Sequence, residues 1–464
     1  MGWRAADILA ATGGKLLRDG GQRRFGEIVT DSTRVKTGSV FVALKGERHD
    51  GHRFIADAVR RGAACVIAHR PLPRAALGGA TAIRVKDTLR ALGDLAHYRR
   101  RQWAPRVLAI TGSNGKTTTK EMVAAILEEA FGQRGGRILK TEGNFNNLVG
   151  VPLTLLRLRR SHRIAVVELG TNHPGEIERL TEIADPDFGM VTSVAAAHLE
   201  GLNSLAGVAR EKGALYRTMR AGGAIAVNLD DPWVRRIAEK FPGRKITYGG
   251  RGQVRAQDWK LRGAGGMRFK LKAGRRSCSV QLRYIGRHNV ANALGAAALT
   301  LAAGAPLAAV RRGLARARPF AMRMQCASWR GIGIVNDAYN ANPASMQAAL
   351  QTLAELPCRG RRIAVLGDMF ELGRHAAREH RALGKQAARS GVDFLFLLGA
   401  RAALARRGAL AGGMSAARVV VGKDHAELGE RLRALAKKGD WILFKGSRGM
   451  RMEKVLAALK GGKV

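Results

Sequence analysis

The sequence predicts an α/β protein of three domains in which most strands are parallel. Its 464 residues are enough for about three domains. Strand-like runs alternate with stretches of helical length along the whole chain, and many of these runs are apolar throughout, as in IAVVELG at 164–170. Strands that are apolar on both faces are typical of parallel sheets with helices on either side. We expect domains at 1–103, 104–317 and 318–464, of which the first is the smallest.

The elements of the first domain follow from short apolar runs. Strands are predicted at 39–44, 64–69 and 81–85. Between the first two, the stretch 51–63 has apolar residues at helical spacing and Gly62 near its end, which predicts a helix.

The second domain opens with a predicted strand at 107–110, which a glycine-containing turn and a helix follow. Further apolar strands are predicted at 164–170, 189–194 and 224–231. Residues 267–284 have a more alternating pattern, which predicts a β extension at the edge of this sheet.

The third domain repeats the alternation of strands and helices. Pro319 interrupts the helix that precedes it and marks the boundary. Its strands are predicted at 331–339, 362–369, 394–400, 417–422 and 441–447. This order predicts a second doubly wound sheet.

The charge of the chain is strongly positive, since 80 Lys and Arg face 36 Asp and Glu, a net charge of +44. Such a field attracts anions, including nucleotides and nucleic acid. The basic residues are spread over the whole chain, however, and aromatic residues make up only 5%. Nucleic-acid platforms usually cluster both types. We therefore expect a solvated basic surface without dedicated nucleic-acid binding.

Cysteine usage and hydropathy indicate a cytoplasmic location. The four cysteines are scattered without a C-x-x-C pair, which argues against a zinc site or a disulfide framework. The N-terminal stretch lacks the apolar core of a signal peptide. The apolar stretch 293–310 contains Gly304 and Pro306, which favours a buried helix ending near Gly304 over a membrane span.

The string TGSNGKTTT at 111–119 predicts a phosphate-binding loop with unusual spacing. The common motif G-x-x-x-x-G-K-[ST] would need a glycine at position 110, where Ile110 stands. Only two residues separate Gly112 and Gly115. A strand, a glycine turn and a helix N-terminus still form a suitable anion site, in which Lys116 would reach the terminal phosphates and Thr117 would coordinate magnesium.

This compact loop resembles the ATP loop of the Mur ligase family, ATP-dependent enzymes that form amides in peptidoglycan precursor synthesis. The resemblance implies an N-terminal domain for a UDP-linked substrate, a central ATPase with a P-loop-type sheet, and a C-terminal Rossmann-like domain for the incoming amino compound. It also implies the cofactors ATP and Mg²⁺. The ATP contacts implied in the loop are Gly112, Ser113, Asn114, Gly115, Lys116, Thr117 and Thr118.

Three further residues of the central domain match magnesium ligands of the family. Glu168 ends a buried strand in VVELGTNHPGE, and His198 follows another strand in VTSVAAAHLEG. Lys212, in GVAREKGALYR, matches a family lysine that carbon dioxide converts to a carbamate. An ammonium cannot bind magnesium, whereas a carbamate supplies the anionic oxygen that magnesium prefers. The resemblance thus implies Thr117, Glu168, His198 and Lys212 as metal ligands, and Lys116, His198 and Lys212 as catalytic residues.

The same resemblance assigns residues to the rest of the ATP molecule. GRHNVANALGAA places Asn289 and Asn292 in the first turn of a helix, where the family's asparagines face the adenine; Asn289 could also be a simple N-cap. Arg323, in FAMRMQ, resembles an arginine near the phosphates. Asp337, in NDAYNANP, matches an aspartate that approaches the ribose.

Three strings identify the branch of the family: NDAYNANP, AVLGDMFELG and FKGSRGMRMEKV. They imply ligation of D-alanyl-D-alanine to UDP-N-acetylmuramoyl-tripeptide, and leave open whether lysine or meso-diaminopimelate is the third residue. We expect a monomer. Contacts to these substrates are expected at Ser32, Lys45, His52, Tyr339 and Asn340.

Other hypotheses remain open. A nucleic-acid-dependent P-loop ATPase would suit the net charge, and a non-catalytic nucleotide-binding regulator would make Glu168 and His198 incidental. Another amide ligase of the same kind, such as a folylpolyglutamate synthase, is the nearest enzymatic alternative.

Overall fold

The computed structural model describes residues 2–46, 49–132 and 137–462. Three separate sheets of five, nine and six strands follow one another along the chain. Most neighbouring strands are parallel and helices connect them, so the predicted α/β class is confirmed. Within the described part of the chain, no helix is both long and apolar enough to cross a membrane.

The first sheet has the strand order β1-β5-β4-β3-β2. Strands β2 to β5 are parallel, and β1 pairs with β5 in antiparallel fashion at the edge. The predicted strands at 39–44, 64–69 and 81–85 correspond to β3, β4 and β5. The elements of this part are α1 Ala5–Thr12, β1 Lys15–Arg18, β2 Ile28–Val29, β3 Val40–Val42, α2 Ile55–Arg60, β4 Cys65–Ala68, β5 Thr81–Arg84 and α3 Thr88–Trp103.

Helix α3 joins the first sheet to the second. It starts after Asp87, whose side chain caps it by accepting from the Arg90 N–H. Leu92 and Leu95, in its middle, belong to the core of the first sheet, whereas Ala96 packs in the core of the second. One helix therefore contributes to both cores.

The second sheet has the order β14-β13-β12-β11-β10-β9-β6-β8-β7. Strands β6 to β12 are parallel, and β12, β13 and β14 form an antiparallel extension, as residues 267–284 predicted. The elements are β6 Arg106–Thr111, α4 Lys116–Phe131, β7 Arg137–Lys140, α5 Gly150–Leu156, β8 His162–Glu168, α6 Glu176–Ala184, β9 Phe188–Val191, α7 Leu199–Leu202, α8 Leu205–Thr218, β10 Ala224–Asn228, α9 Pro232–Ala238, β11 Arg244–Tyr248, β12 Val254–Leu261, β13 Met267–Ala273, β14 Arg276–Leu282, α10 Arg287–Ala302 and α11 Leu307–Arg316.

Strand β6 lies near the middle of this sheet and is covered on both faces. Val107 and Ala109 pack in one hydrophobic core, and Leu108 and Ile110 pack in another. This explains why residues 107–110 of the strand are all apolar, rather than apolar at alternate positions.

The third sheet has the order β15-β16-β20-β17-β18-β19, with only β15 antiparallel to its neighbour. Asn342 caps α12, accepting from the Ser345 N–H, and Pro343 takes the first helical position. The elements are β15 Gln325–Trp329, β16 Ile332–Asp337, α12 Pro343–Glu355, β17 Arg362–Gly367, α13 Ala376–Arg389, β18 Phe394–Leu398, α14 Ala402–Ala411, β19 Val419–Val421, α15 His425–Leu435, β20 Trp441–Lys445 and α16 Glu453–Leu459.

Candidate active site

The glycine loop between β6 and α4 has the conformation that its two glycines require. Gly112 has φ 145° and Gly115 has φ 81°. A Cβ atom on Gly115 would lie 2.3 Å from Asn292 Oδ1, and one on Gly112 would lie 1.9 Å from Thr192 Oγ1. Both positions therefore require glycine, because the backbone has a positive φ and a side chain would collide with a neighbouring residue.

Hydrogen bonds to the segment after β9 hold the loop in place. The Ser113 N–H donates to the Ser193 carbonyl at 2.8 Å, and the Ala195 N–H donates to Ser113 Oγ at 2.9 Å. Thr192 Oγ1 donates to the Asn114 carbonyl at 2.5 Å. The loop is thus fixed in front of the N-terminus of α4, where the helix dipole favours an anion.

Lys116, the first residue of α4, directs its ammonium back across the loop. Its Nζ donates to the Gly112 carbonyl at 2.7 Å. Burial lowers the pKa of Lys116, and Arg323 lowers it further, while Glu168 and Glu371 oppose this shift. Two carboxylates therefore lie near the ammonium that was predicted to meet the phosphates.

Glu168 and Lys212 carry polar atoms that lack a hydrogen-bond partner within the described structure. Glu168, at the end of β8, accepts from Asn146 Nδ2 at 2.8 Å through Oε1, but its buried Oε2 has no partner. Lys212, on α8, is fully buried and its Nζ has no partner. Burial and nearby Lys116 lower the pKa of Lys212 well below its usual value, although Glu211 opposes the shift. Such orphaned groups are costly, which indicates that the site is built for a further group.

His198 lies directly before α7 and meets a residue of the third sheet's loops. Its Nδ1 is 2.5 Å from Glu371 Oε2, a close contact that falls short of hydrogen-bond geometry. The Glu200 N–H also donates to the Glu371 carbonyl at 3.2 Å. Glu371 follows β17, and the sequence had given no reason to select it within AVLGDMFELG.

The first two turns of α10 present amides next to the loop: Asn289 lies in the first turn, and Asn292 lies in the second rather than in the first as predicted. Asn292 Nδ2 donates to Asn289 Oδ1 at 3.0 Å, and Asn289 Nδ2 donates to the Ile285 carbonyl at 2.8 Å. Gly286 takes the N-cap position, so Asn289 lies within the helix and the simple N-cap alternative is wrong. Burial lowers the pKa of neighbouring His288 to about 4.

The third sheet contributes a charged cluster at the ends of β16 and β20. Asp337 Oδ2 pairs with Lys445 Nζ at 2.5 Å, and Asp337 Oδ1 accepts from the Met324 N–H at 3.0 Å. The Arg323 guanidinium stacks on the Tyr339 ring at 4.1 Å. Lys445 was missed, although a lysine that ends a buried strand in WILFKGS is a usable signal for a site at the sheet edge.

A cleft of about 550 Å³ lies between the second and third sheets and brings most predicted residues together. Asn342 Nδ2 donates across it to Asn114 Oδ1 at 2.8 Å. The lining does not include Gly112, Glu168 or Lys212. Glu168 nevertheless lies near enough to Lys116 to raise the pKa of that lysine, and Lys116 lies near enough to Lys212 to lower the pKa of Lys212. The predicted residues that line it are Ser113, Asn114, Gly115, Lys116, Thr117, Thr118, His198, Asn289, Asn292, Arg323, Asp337, Tyr339 and Asn340.

Three predicted substrate contacts lie apart from this cleft, in the first domain. Ser32 is buried and Lys45 is exposed. His52 uses both ring nitrogens within the domain, since Nδ1 is 2.7 Å from Asp50 Oδ1 and Nε2 accepts from the His69 N–H at 3.3 Å. Its side chain therefore has no free nitrogen for a ligand in this structure.

A second cavity, of about 1170 Å³, separates the first sheet from the second. It includes Asp31, beside Ser32, but not Ser32, Lys45 or His52. The sequence gave no hint of this grouping, because its residues come from five separate stretches of the chain. Its lining carries a concentration of arginines: Arg34, Arg99, Arg137, Arg157 and Arg159.

Comparison with known proteins identifies the family. Three models match in order: "Mur ligase family, catalytic domain" over residues 24–100, "Mur ligase middle domain" over 110–300, and "Mur ligase, glutamate ligase domain" over 322–448. The UDP-N-acetylmuramoyl-tripeptide–D-alanyl-D-alanine ligase of Escherichia coli K12 is 38% identical over 93% of both chains. The chain belongs to the Mur ligase family. The resemblance carried by the loop and the DAYNANP string is thereby confirmed.

Other relatives of this Mur ligase agree. The enzyme of the same name from Bacillus subtilis is 34% identical over 93% of this chain and 92% of its own. A crystal structure of MurF from Acinetobacter baumannii matches with a TM-score of 0.90 and 34% identity, covering 99% of both chains. The MurF ligase of Thermotoga maritima in complex with ADP matches with a TM-score of 0.82 and 27% identity, over 94% of this chain and 97% of that one.

Proposed function

We propose that this Mur ligase joins D-alanyl-D-alanine to UDP-N-acetylmuramoyl-tripeptide at the expense of ATP. The observation that carries the proposal is the cleft between the second and third sheets, which sets the phosphate loop opposite Arg323, Asp337 and Tyr339. The relatives named for this reaction in Escherichia coli and Bacillus subtilis share nearly the full length of the chain, so the whole architecture is common to them.

ATP would occupy the cleft with its phosphates at the N-terminus of α4. Backbone N–H groups at the start of α4, from Gly115 to Thr118, and the Lys116 ammonium would hold the phosphates. Asn289 and Asn292 would face the adenine from α10. Asp337, which Lys445 and the Met324 N–H hold in place, would receive the ribose, and Arg323 would neutralise phosphate charge.

The residues beneath the loop fit magnesium. Glu168 Oε2 is a buried carboxylate oxygen without a partner, an oxygen ligand of the type that Mg²⁺ prefers. Across the described residues, no three His, Cys, Asp or Glu side chains group closely enough to hold a metal ion, so other ligand types are needed. Thr117 and Glu168 would hold one ion, and His198 with a carbamate on Lys212 would hold another. The bound ions would neutralise the charge of the reacting anions.

The environment of Lys212 suits carbamate formation. Only a neutral amine can add to carbon dioxide; its nitrogen bonds to the carbon and releases a proton, which leaves an anionic carbamate. Full burial and the nearby Lys116 ammonium favour the neutral amine. The amine has no hydrogen-bond partner among the described residues, and the side chain gains contacts once its carbamate oxygens bind a metal ion.

The protein's contribution to the reaction is mostly positioning. The terminal carboxylate of the tripeptide attacks the γ-phosphorus of ATP, which releases ADP and gives an acyl phosphate. Lys116 and Arg323 would reduce the repulsion between the two anions. The neutral amine of D-alanyl-D-alanine then attacks the acyl carbon, the C–O bond to phosphate breaks, and the nitrogen loses a proton as phosphate leaves. Tyr339 and Asn340, at the third sheet's edge of the cleft, would contact the incoming dipeptide.

The UDP group would bind in the second cavity, between the first and second sheets. Its arginines offer bidentate partners for a diphosphate. Asp31 borders this cavity and Ser32 follows it, so Ser32 keeps its proposed role, whereas Lys45 and His52 have less support.

The decisive experiment measures ADP release with UDP-N-acetylmuramoyl-tripeptide and a panel of amines. Release that requires D-alanyl-D-alanine, and not D-alanine alone, is the expected result. Tripeptides ending in lysine or meso-diaminopimelate would establish the third residue. Turnover that requires DNA or RNA, or that accepts a folate in place of the UDP substrate, would overturn the proposal. A monomer in the cytoplasm remains our prediction.

A further inference from the structure

Glu371, in the loop after β17 of the third sheet, places its carboxylate next to His198, in the segment after β9 of the second sheet. Its Oε2 lies 2.5 Å from His198 Nδ1, and its backbone carbonyl accepts from the Glu200 N–H at 3.2 Å. Both partners have the left-handed backbone conformation, with φ 55° at His198 and φ 61° at Glu371. Positive φ is costly for residues other than glycine and persists where surrounding structure imposes it, often at functional sites.

The contact has a chemical consequence for the imidazole. A carboxylate at Nδ1 favours the proton on that nitrogen, which leaves the Nε2 lone pair free for a cation. Histidines that bind metals usually have such a partner on the second nitrogen, because it fixes the tautomer and the orientation of the ring. At 2.5 Å the two atoms are within hydrogen-bond distance, although the contact lacks hydrogen-bond geometry.

We propose that Glu371 is a positioning residue that orients His198 for magnesium across the boundary between the two sheets. The inference rests on the proposed function, since the metal role of His198 belongs to it. Because Glu371 comes from the loop after β17, the ring is oriented only while the third sheet's domain lies against the second. The Asn342–Asn114 hydrogen bond across the same cleft holds the two together. Domain contact and assembly of the metal site are thereby linked.

A different role for Glu371 would have the opposite effect. Glu371 also lies near Lys116, where it opposes the lowered pKa of that lysine. If the carboxylate merely stood in for a phosphate beside Lys116, its removal would strengthen nucleotide binding and leave metal binding unchanged.

The test is Mn²⁺ binding to the full chain, followed by electron paramagnetic resonance with a non-hydrolysable ATP analogue present. The variants are Glu371→Gln, which keeps the shape, and Glu371→Asp, which keeps the charge but withdraws the carboxylate. His198→Ala removes the ligand itself. Glu379→Gln is the matched control, because Glu379 is on the same domain and pairs with exposed Arg378 at the surface.

We expect Glu371→Gln to weaken Mn²⁺ binding at one site by about 10–100-fold. His198→Ala should abolish binding at that site, Glu371→Asp should lie between wild type and Glu371→Gln, and Glu379→Gln should match wild type. Melting temperatures near that of wild type would show that the variants fold. If Glu371→Gln does not fold, Mn²⁺ binding by Glu371→Asp tests the inference instead.

Three outcomes would overturn the inference: unchanged Mn²⁺ binding in both Glu371 variants, tighter nucleotide binding with unchanged Mn²⁺ binding, or no loss of Mn²⁺ from His198→Ala. The ligation assay on the wild-type protein tests the proposed function separately. A wild-type protein that binds Mn²⁺ through Glu371 and His198 but ligates no D-alanyl-D-alanine would refute that function and leave the metal geometry standing.

Discussion

Replacement of Lys212 by methionine separates the stability of the fold from the chemistry of the site. Methionine has a similar length and volume, so the repacking cost should stay below about 1.5 kcal/mol. The amine that it removes is fully buried and has no hydrogen-bond partner in the described structure. An unsatisfied buried polar group costs about 1–3 kcal/mol. In buffer free of carbon dioxide, Lys212→Met should therefore be as stable as wild type or up to about 2 kcal/mol more stable.

Ligation should respond in the opposite direction. Without a carbamate the second metal site loses its anionic oxygen, and we expect ADP release to fall by about 100-fold or more, the scale seen when one electrostatic partner of a transition state is removed. Urea unfolding gives the stability, and carbon-13 NMR after equilibration with labelled bicarbonate detects the carbamate. Lys240→Met, at an exposed position of the same domain, is the control for loss of a lysine.

The reasoning fails if Lys212→Met ligates at the wild-type rate or if the carbamate signal persists in it. A variant destabilised by several kcal/mol would also refute it, because the lysine would then have partners that the structure does not show. Lys240→Met should keep both the signal and the activity.

Three further predictions test other parts of the site. Lys116→Met should reduce ADP release by at least about 100-fold with an unchanged melting temperature, since its ammonium faces the cleft; a fully active variant would remove the loop from the mechanism. Gly115→Ala should raise the KM for ATP strongly, because its Cβ would lie 2.3 Å from Asn292 Oδ1. Gly143→Ala is the control for a positive φ: a Cβ there has nothing within 4 Å, so the KM for ATP should stay unchanged. Burial lowers the pKa of His288 to about 4, so between about pH 6.5 and 4 the unfolded chain binds more protons than the folded one. When the pH falls from 7.5 to 5, wild type should therefore lose about 2 kcal/mol more of its free energy of unfolding than His288→Gln does. Urea titration measures both losses, and equal losses would contradict this.

The sequence predicted the strands that are buried on both faces, and the six strands that it missed have at most one buried side chain each. Strand β6 is apolar because two cores cover it, and this gives a strong local signal. Strand β1 exposes three of its four side chains and β12 exposes four of its eight, so neither gives the signal of a buried strand. Their strand conformation depends on pairing with β5, β11 and β13, which no local pattern reveals. The other strands that were missed are β2, β7, β11 and β15.

The same distinction applies to the site. The loop from Gly112 to Thr118 is one strand–turn–helix unit, so its sequence alone carries its geometry. Glu371 contacts His198, 173 positions away in the sequence, and Lys445 pairs with Asp337, 108 positions away. Their place in the site follows from these contacts. Such pairs depend on how two sheets meet, and a single sequence without homologues holds no record of that.

The same rule about ligand binding in parallel sheets explains what both the second and the third sheet contribute to the cleft. Ligands of parallel α/β sheets bind beyond the carboxyl ends of the strands. In the second sheet, these ends carry the phosphate loop after β6, Glu168 at the end of β8 and the segment of His198 after β9. In the third sheet they carry Asp337 and Lys445, at the ends of β16 and β20, with Glu371 after β17. The cleft arises because both sets of strand ends face the same space. An acyl phosphate formed there, as we propose, would have protein on two sides, and neither sheet by itself would hold all the groups proposed for the reaction.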